Sequence, residues 1–268
     1  RCAGQHHGQL ETQSEDRQEM TGQVAALWRH PIKGHGREAV DRVVLTEGQT
    51  IPWDRRWAVA HELAQADDTA WAPCTNFSRG SKVAALMGIN ATCDEAAGTV
   101  TLSHPDRPEL TIDPDKDQTR FLEWVRPLMP ENRAQSTRLV RVEGRGMTDT
   151  DYPSVSLLNL ASNAAMTEAM GQEISALRWR CNIHFSGFQA WEEFDWMGCT
   201  LRVGDAELLV RERIVRCLAT TANPATGLRD ADTLDTLNNR FGHQDFGIYA
   251  EVTKTGEVAL HDPVDVLR

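Results

Sequence analysis

The sequence predicts an α+β protein, mainly β, in two domains. From Gln23 the chain reads as short strands separated by turn residues, and helix formers are sparse before residue 116. A Pro/Asn-rich stretch over 130–135 divides that half from a second run of strands. There is no βαβ alternation and no GxGxxG, which argues against a doubly wound parallel sheet.

In the first half, residues 24–28, 39–46 and 57–61 are expected strands, separated by Pro31-Ile32-Lys33-Gly34 and by Glu47-Gly48. Residues 89–93 and 99–103 read as a hairpin across Ala97-Gly98. Residues 117–128 form a short amphipathic helix with Phe121, Leu122, Val125 and Leu128 on one side. After the Pro/Asn-rich stretch come a strand over 138–142 and a helix with Ser162 as N-cap and Gly171 as its stop. Strands over 178–185, 201–203, 207–211 and 214–220 follow, and a hairpin of 247–252 with 258–260 closes the chain at Thr255-Gly256. The expected division is 1–19 as a disordered extension, 20–116 as the smaller β-rich domain, 117–134 as a linking helix and 135–268 as the larger domain.

Composition limits the function classes. A formal charge of −11 over 268 residues argues against a nucleic-acid partner, whose phosphates need a basic surface. A small anion needs only a few arginines. The six cysteines (Cys2, Cys74, Cys93, Cys181, Cys199, Cys217) are scattered and contain no CxxC pair, so neither a zinc finger nor a thioredoxin motif nor a disulfide scaffold is expected. No run of about 18 apolar residues exists, so no membrane span is expected. The first nineteen residues lack the apolar core of a secretory signal, which makes the cytoplasm the expected location.

Two segments carry candidate chemistry. Along 178–185, Trp179, Cys181, Ile183 and Phe185 alternate with Arg178, Arg180, Asn182 and His184. The polar set suits either a solvated outer face or an anion site, because guanidinium groups contact phosphate and carboxylate bidentately. Cys217 follows Arg213-Ile214-Val215-Arg216 and precedes Asn223-Pro224-Ala225-Thr226-Gly227. A lone cysteine reads either as a small buried hydrophobe or as a ligand, and the nearby Arg213 and Arg216 would favour the thiolate. Other patterns fall short of a motif. Arg79-Gly80-Ser81-Lys82 lacks the earlier glycine of a phosphate loop, and Asp149-Thr150-Asp151 lacks the later ligands of a calcium loop. No GxSxG and no HxxxH pair is present.

Taken in order, these segments resemble the MOSC (molybdenum cofactor sulfurase C-terminal) domain superfamily, in particular its mitochondrial amidoxime-reducing branch and bacterial relatives. The resemblance rests on Pro31-Ile32-Lys33, Asp54-Arg55-Arg56-Trp57, Trp179-Arg180-Cys181-Asn182-Ile183, Arg216-Cys217 with Pro224-Ala225-Thr226-Gly227, and Phe246-Gly247-Ile248-Tyr249. Gly187 and the acidic Trp segment 192–196 fall between them. It implies a MOSC-type β-barrel domain behind an N-terminal β-barrel domain, with a molybdenum–molybdopterin cofactor in the cleft. The metal ligand and catalytic residue would be Cys217. Lys33, Arg55 and Arg180 would hold the pterin and its phosphate, with Asn182 and Tyr249 nearby and Arg216 orienting the thiolate. Binding of pyridoxal phosphate is not expected. The implied activity is reduction of N-hydroxylated or related small compounds, with electrons from a separate ferredoxin- or cytochrome-like protein. A sulfur carrier using a Cys217 persulfide and a non-catalytic anion-binding barrel are the alternatives. The chain departs from the family at Gly34 (Ser or Thr), at Pro153 (often a hydroxyl residue, for which Ser154 or Ser156 would substitute), at Cys181 (proline) and at Val215 (a small polar residue).

Overall fold

β-Branched and aromatic residues alternating with turn signals give sixteen strands in a computed structural model that describes residues 21–267. The expected disordered extension, 1–19, lies outside the described residues. The first half contributes β1 (Gly22–Arg29), β2 (Ile32–Lys33), β3 (Glu38–Val40), β4 (Arg42–Leu45), β5 (Trp57–His61), β6 (Asn90–Asp94), β7 (Thr99–His104) and β8 (Arg107–Ile112). Helix α1 (Gln118–Val125) and β9 (Ser136–Val140) follow. The second half holds β10 (Val155–Asn159), α2 (Leu160–Met170), β11 (Ile183–Ser186), β12 (Thr200–Val203) and β13 (Ala206–Val215). It ends with α3 (Thr233–Thr236), β14 (Asp245–Lys254), β15 (Gly256–Ala259) and β16 (Pro263–Leu267).

Seven strands close into a barrel in the order β11-β10-β14-β13-β12-β16-β1, because β1 pairs with β11 as well as with β16. Closure leaves no free edge within that ring. Val24, Leu27, Leu157, Ile183, Phe185, Leu208, Ile248 and Val252 fill its interior. A second core lies under the β2-β5-β9 sheet and the β6-β7-β8 meander, where Ile32, Trp57, Val59, Leu86 and Ile89 meet Phe121 and Val125 of α1. Each such side chain contributes about 1.5–3 kcal/mol on burial.

Several expectations need correction. Strand β1 belongs by sequence to the N-terminal half but completes the barrel, and β9 belongs by sequence to the second half but pairs with β5. The sequence boundary is therefore crossed twice in space. Residues 178–185 do not form one strand. Ala176–Trp179 is a 3-10 turn capped by Ser175, Arg180 has a left-handed φ of 51°, and pairing begins only at Ile183. Arg178, Asn182 and His184 are buried, which excludes the solvated outer face. Helix α2 is capped by Asn159 rather than by Ser162; Ser162 lies inside the helix and donates to the buried Glu193. The closing hairpin is not one. Strand β14 already has β10 and β13 on its two edges, so β15 pairs with β4 instead. The hairpin across Ala97-Gly98 forms as expected, with Cys93 opposite Val100.

Candidate functional site

Between the two cores lies a cavity of about 600 Å³. Lys33, Arg55, Trp71, Arg79 and Met87 reach it from the N-terminal half, and Arg180, Cys217 and Tyr249 from the barrel side. Seven basic residues line it (Lys33, Arg55, Arg79, Arg178, Arg180, Arg213, Arg216) against three acidic ones (Asp149, Asp151, Glu212). In a chain of net charge −11 this lining is locally basic, although Arg55 and Arg178 are paired with Asp54 and Asp230, which lie outside it.

The basic wall is built from the chain's own turns. Arg55 and Arg180 both sit in the left-handed region, at φ 50° and 51°, a conformation costing about 1–3 kcal/mol for such residues. The turn at Arg55 is pinned by its N–H donating to His30 O at 2.7 Å and by its carbonyl accepting from Met147 N at 2.7 Å. Its guanidinium pairs with buried Asp54 and donates to Arg180 O at 3.0 Å. Asp54 also accepts from His30 N at 2.7 Å. Burial would raise the Asp54 carboxyl, but the Arg55 charge and the His30 contact hold it well below the usual carboxylate range. Lys33 Nζ donates to Met147 O at 2.8 Å and to Asp149 Oδ1 at 2.5 Å. The Asp149 carboxyl is ringed by protein yet reached by solvent through the cavity. Burial pushes it up, while Lys33, Arg55 and Arg180 bring it down to about 2.

Arg180 is the least satisfied member. Nη2 donates to Gly36 O at 3.1 Å, Nη1 is buried without a hydrogen-bond partner, and no carboxylate forms an ion pair with it among the described residues. Burial and the like charges of Arg55 and Arg37 lower its pKa to about 9. Asn182 stands behind this wall. Its Oδ1 accepts from Ser156 N at 3.1 Å and Oγ at 2.8 Å, and its Nδ2 donates to Trp28 O at 3.1 Å. Ser156 lines the cavity, whereas the Ser154 hydroxyl is buried and accepts from Thr150.

Cys217 lies two residues beyond β13, extended at φ −122° and ψ 176°, and is exposed. A merely buried cysteine is therefore excluded. Arg216 points the other way. Its guanidinium donates to Phe246 O and to Trp179 O at 2.7 Å, and to Cys181 Sγ at 3.2 Å. Gly247 permits this, since a Cβ at that left-handed position would lie 2.5 Å from Leu157 O and 3.3 Å from Arg216 Nη2. Arg213 lies over the Phe194 ring. Both guanidinium groups are thus engaged away from the thiol. Tyr249 lines the cavity with a phenol pushed up by burial and by the Asp149 charge. Pro224-Ala225-Thr226-Gly227 lies outside the cavity lining, and Pro224 O accepts from Arg37 of the N-terminal half at 2.6 Å.

The donor set fits an anionic group that brings a metal to a thiolate. Arg178 Nε and Arg180 Nη1 are buried and unpartnered, and Cys217 opens on the same cavity. Among the described residues no three His, Cys, Asp or Glu side chains cluster around a metal position. A metal held by Cys217 would draw its other ligands from the group it arrives with. The residues read from the sequence thus mostly converge: Lys33, Arg55, Arg180, Arg216, Cys217 and Tyr249 line one cavity, with Asn182 one layer back. Asp149 was missed, because Asp149-Thr150-Asp151 carries no motif and its partner Lys33 is 116 positions away. Arg79 and Cys74, joined by an Arg79 Nη1–Cys74 Sγ contact of 2.6 Å, also line the cavity, although Arg79-Gly80-Ser81-Lys82 falls short of a phosphate loop in the sequence.

Residues 147–265 match the family model of the MOSC domain, and residues 21–127 match that of the MOSC N-terminal beta barrel domain. The chain belongs to the MOSC family. Among curated proteins it is similar to mitochondrial amidoxime-reducing component 1 of Mus musculus, 25% identical over 94% of this chain and 84% of that one. The Homo sapiens component 1 is 29% identical over 93% and 84%, and Rattus norvegicus component 2 is 31% identical over 42% and 37%. Among solved structures, the YuaD protein from Bacillus subtilis covers 93% of this MOSC chain and 97% of its own at 13% identity, with a TM-score of 0.45.

Proposed function

We propose that this MOSC protein is a molybdenum-cofactor-dependent oxidoreductase that reduces N-hydroxylated or related small compounds, with Cys217 as the metal's protein ligand. One observation carries the reading: an exposed thiol opens on a cavity that is net basic inside an acidic protein. The mouse and human relatives are named for amidoxime reduction, which supports the substrate class. Lys33, Arg55 and Arg180 hold the phosphate and pterin through charge-assisted hydrogen bonds. Asn182 and Asp54 fix the backbone that presents those arginines. Arg216 acts on Cys217 through the chain, locking the strand end by its bonds to Phe246 and Trp179. Tyr249 keeps its proton and offers a neutral hydroxyl to the cavity. When bound, the cofactor supplies the two-electron reduction of an N–O bond, and the protein supplies binding and a shaped cleft.

Electrons come from a separate ferredoxin- or cytochrome-like protein. The cytoplasm is the proposed location, where thiols stay reduced; no helix among the described residues is long and apolar enough to cross a membrane. The test is turnover of N-hydroxylated compounds by protein from a cofactor-competent host, with a reduced viologen as electron source. Reduction to the corresponding amine or amidine is the expected result. Cofactor-loaded protein that leaves every such compound intact would overturn the reading, and a Cys217 persulfide in that protein would move it to sulfur transfer.

A further inference from the structure

Two exposed hydrophobic side chains flank Cys217, Val215 at 70% and Leu218 at 52% exposure. Five large hydrophobic residues among the described ones are exposed, so a pair bracketing one thiol departs from the usual scatter. Exposure alternates along the segment: Arg213, Val215 and Cys217 are exposed, and Ile214 and Arg216 are buried. In extended chain that period puts the Val215 isopropyl on the same side as the thiol, about 7 Å along the strand. Val215 and Cys217 line the cavity, as does Trp71 from the N-terminal half, whereas Leu218 lies outside its lining. Trp71 is held there by its Nε1 bond to Thr148 O at 3.0 Å.

We infer that Val215 is a specificity-determining residue that seats the hydrophobic body of the substrate while its reacting group faces Cys217. The site accordingly takes oxidised-nitrogen compounds bearing an aryl or alkyl body in preference to small hydrophilic ones. This rests on the cavity being the substrate site. Covering an exposed valine removes apolar surface from water, and one such contact discriminates by about tenfold.

The thiol itself reports the Val215 surface without any metal. On cofactor-free protein, the rates of Cys217 alkylation by N-benzylmaleimide and N-(2-hydroxyethyl)maleimide are compared, with peptide mass mapping to separate Cys217 from Cys74 and Cys217→Ser as the blank. The ratio of the two rates is then divided by the same ratio for glutathione. The expected preference for the benzyl reagent is about tenfold, falling at least threefold in Val215→Ser while the hydroxyethyl rate stays level. Val215→Leu keeps the preference. A wild-type ratio equal to that of glutathione, or one unmoved by Val215→Ser, overturns the inference. Molybdenum content is read separately, so loss of the cofactor reading and loss of the Val215 surface are told apart.

Discussion

Arg180 is the residue whose chemistry is least complete in the protein alone. Its guanidinium is partly buried, sits beside Arg55 and Arg37, and has one unpartnered nitrogen. A pKa lowered to about 9 means that the fold disfavours the charge, which costs stability at neutral pH until an anion arrives. Arg180→Ala should therefore leave the melting temperature of cofactor-free protein unchanged or raise it, while pterin content, measured by fluorescence after oxidation, drops sharply. A stability loss with normal pterin content would remove Arg180 from the anion site. Arg178→Ala should behave in the opposite way. Its buried guanidinium holds Asp230 at 2.6 Å and Thr221 O at 3.2 Å, so its removal should cost about 1.5–3 kcal/mol in denaturant titrations and spare more of the pterin. The sequence put both arginines on one polar face. The left-handed turn at Arg180 separates their roles, and nothing in the residue pattern announces a positive φ at an arginine.

At the scale of elements, legibility followed locality. The hairpin 90–104, helix α1 and the Gly171 stop of α2 depend on neighbours in sequence, and the alternation and turn residues showed them. Strand β15 could not be placed that way, since its choice of β4 over β14 is decided by which edges are already filled. Gly34 shows the same limit within the site. The resemblance implies Ser or Thr there, yet here φ is 76° and a Cβ would lie 2.7 Å from Ser78 O. Gly34→Ser is accordingly expected to restore no cofactor contact and to cost about 1–2 kcal/mol from the left-handed backbone alone, more if Ser78 must move. Thermal melts of the cofactor-free pair measure this. A more stable Gly34→Ser protein would show that the loop from β2 relaxes freely.

Across the whole molecule, three of the buried histidines, His30, His35 and His184, tie the two cores to pH. Burial pushes His35 and His184 down to about 4, and burial together with the charges of Arg180 and Arg55 lowers His30 well below its usual value. These groups stay neutral in the fold, whereas in the unfolded chain they titrate near 6.5. Stability is therefore full above about pH 6.5 and falls as pH drops toward about 4, by up to about 1.4 kcal/mol per pH unit for each histidine. His184→Gln should flatten melting temperature against pH in that window; an unchanged slope would contradict the account. The central claim rests on one atom. Cys217 is exposed, so Cys217→Ser should alter stability by no more than about 0.5 kcal/mol. The decisive measurement is molybdenum per chain, by elemental analysis of wild-type and Cys217→Ser proteins purified side by side from a cofactor-competent host. Molybdenum is expected in the wild type, with a loss of about tenfold or more in the variant and matching melts of the cofactor-free forms. Equal molybdenum in the two proteins would contradict the central claim.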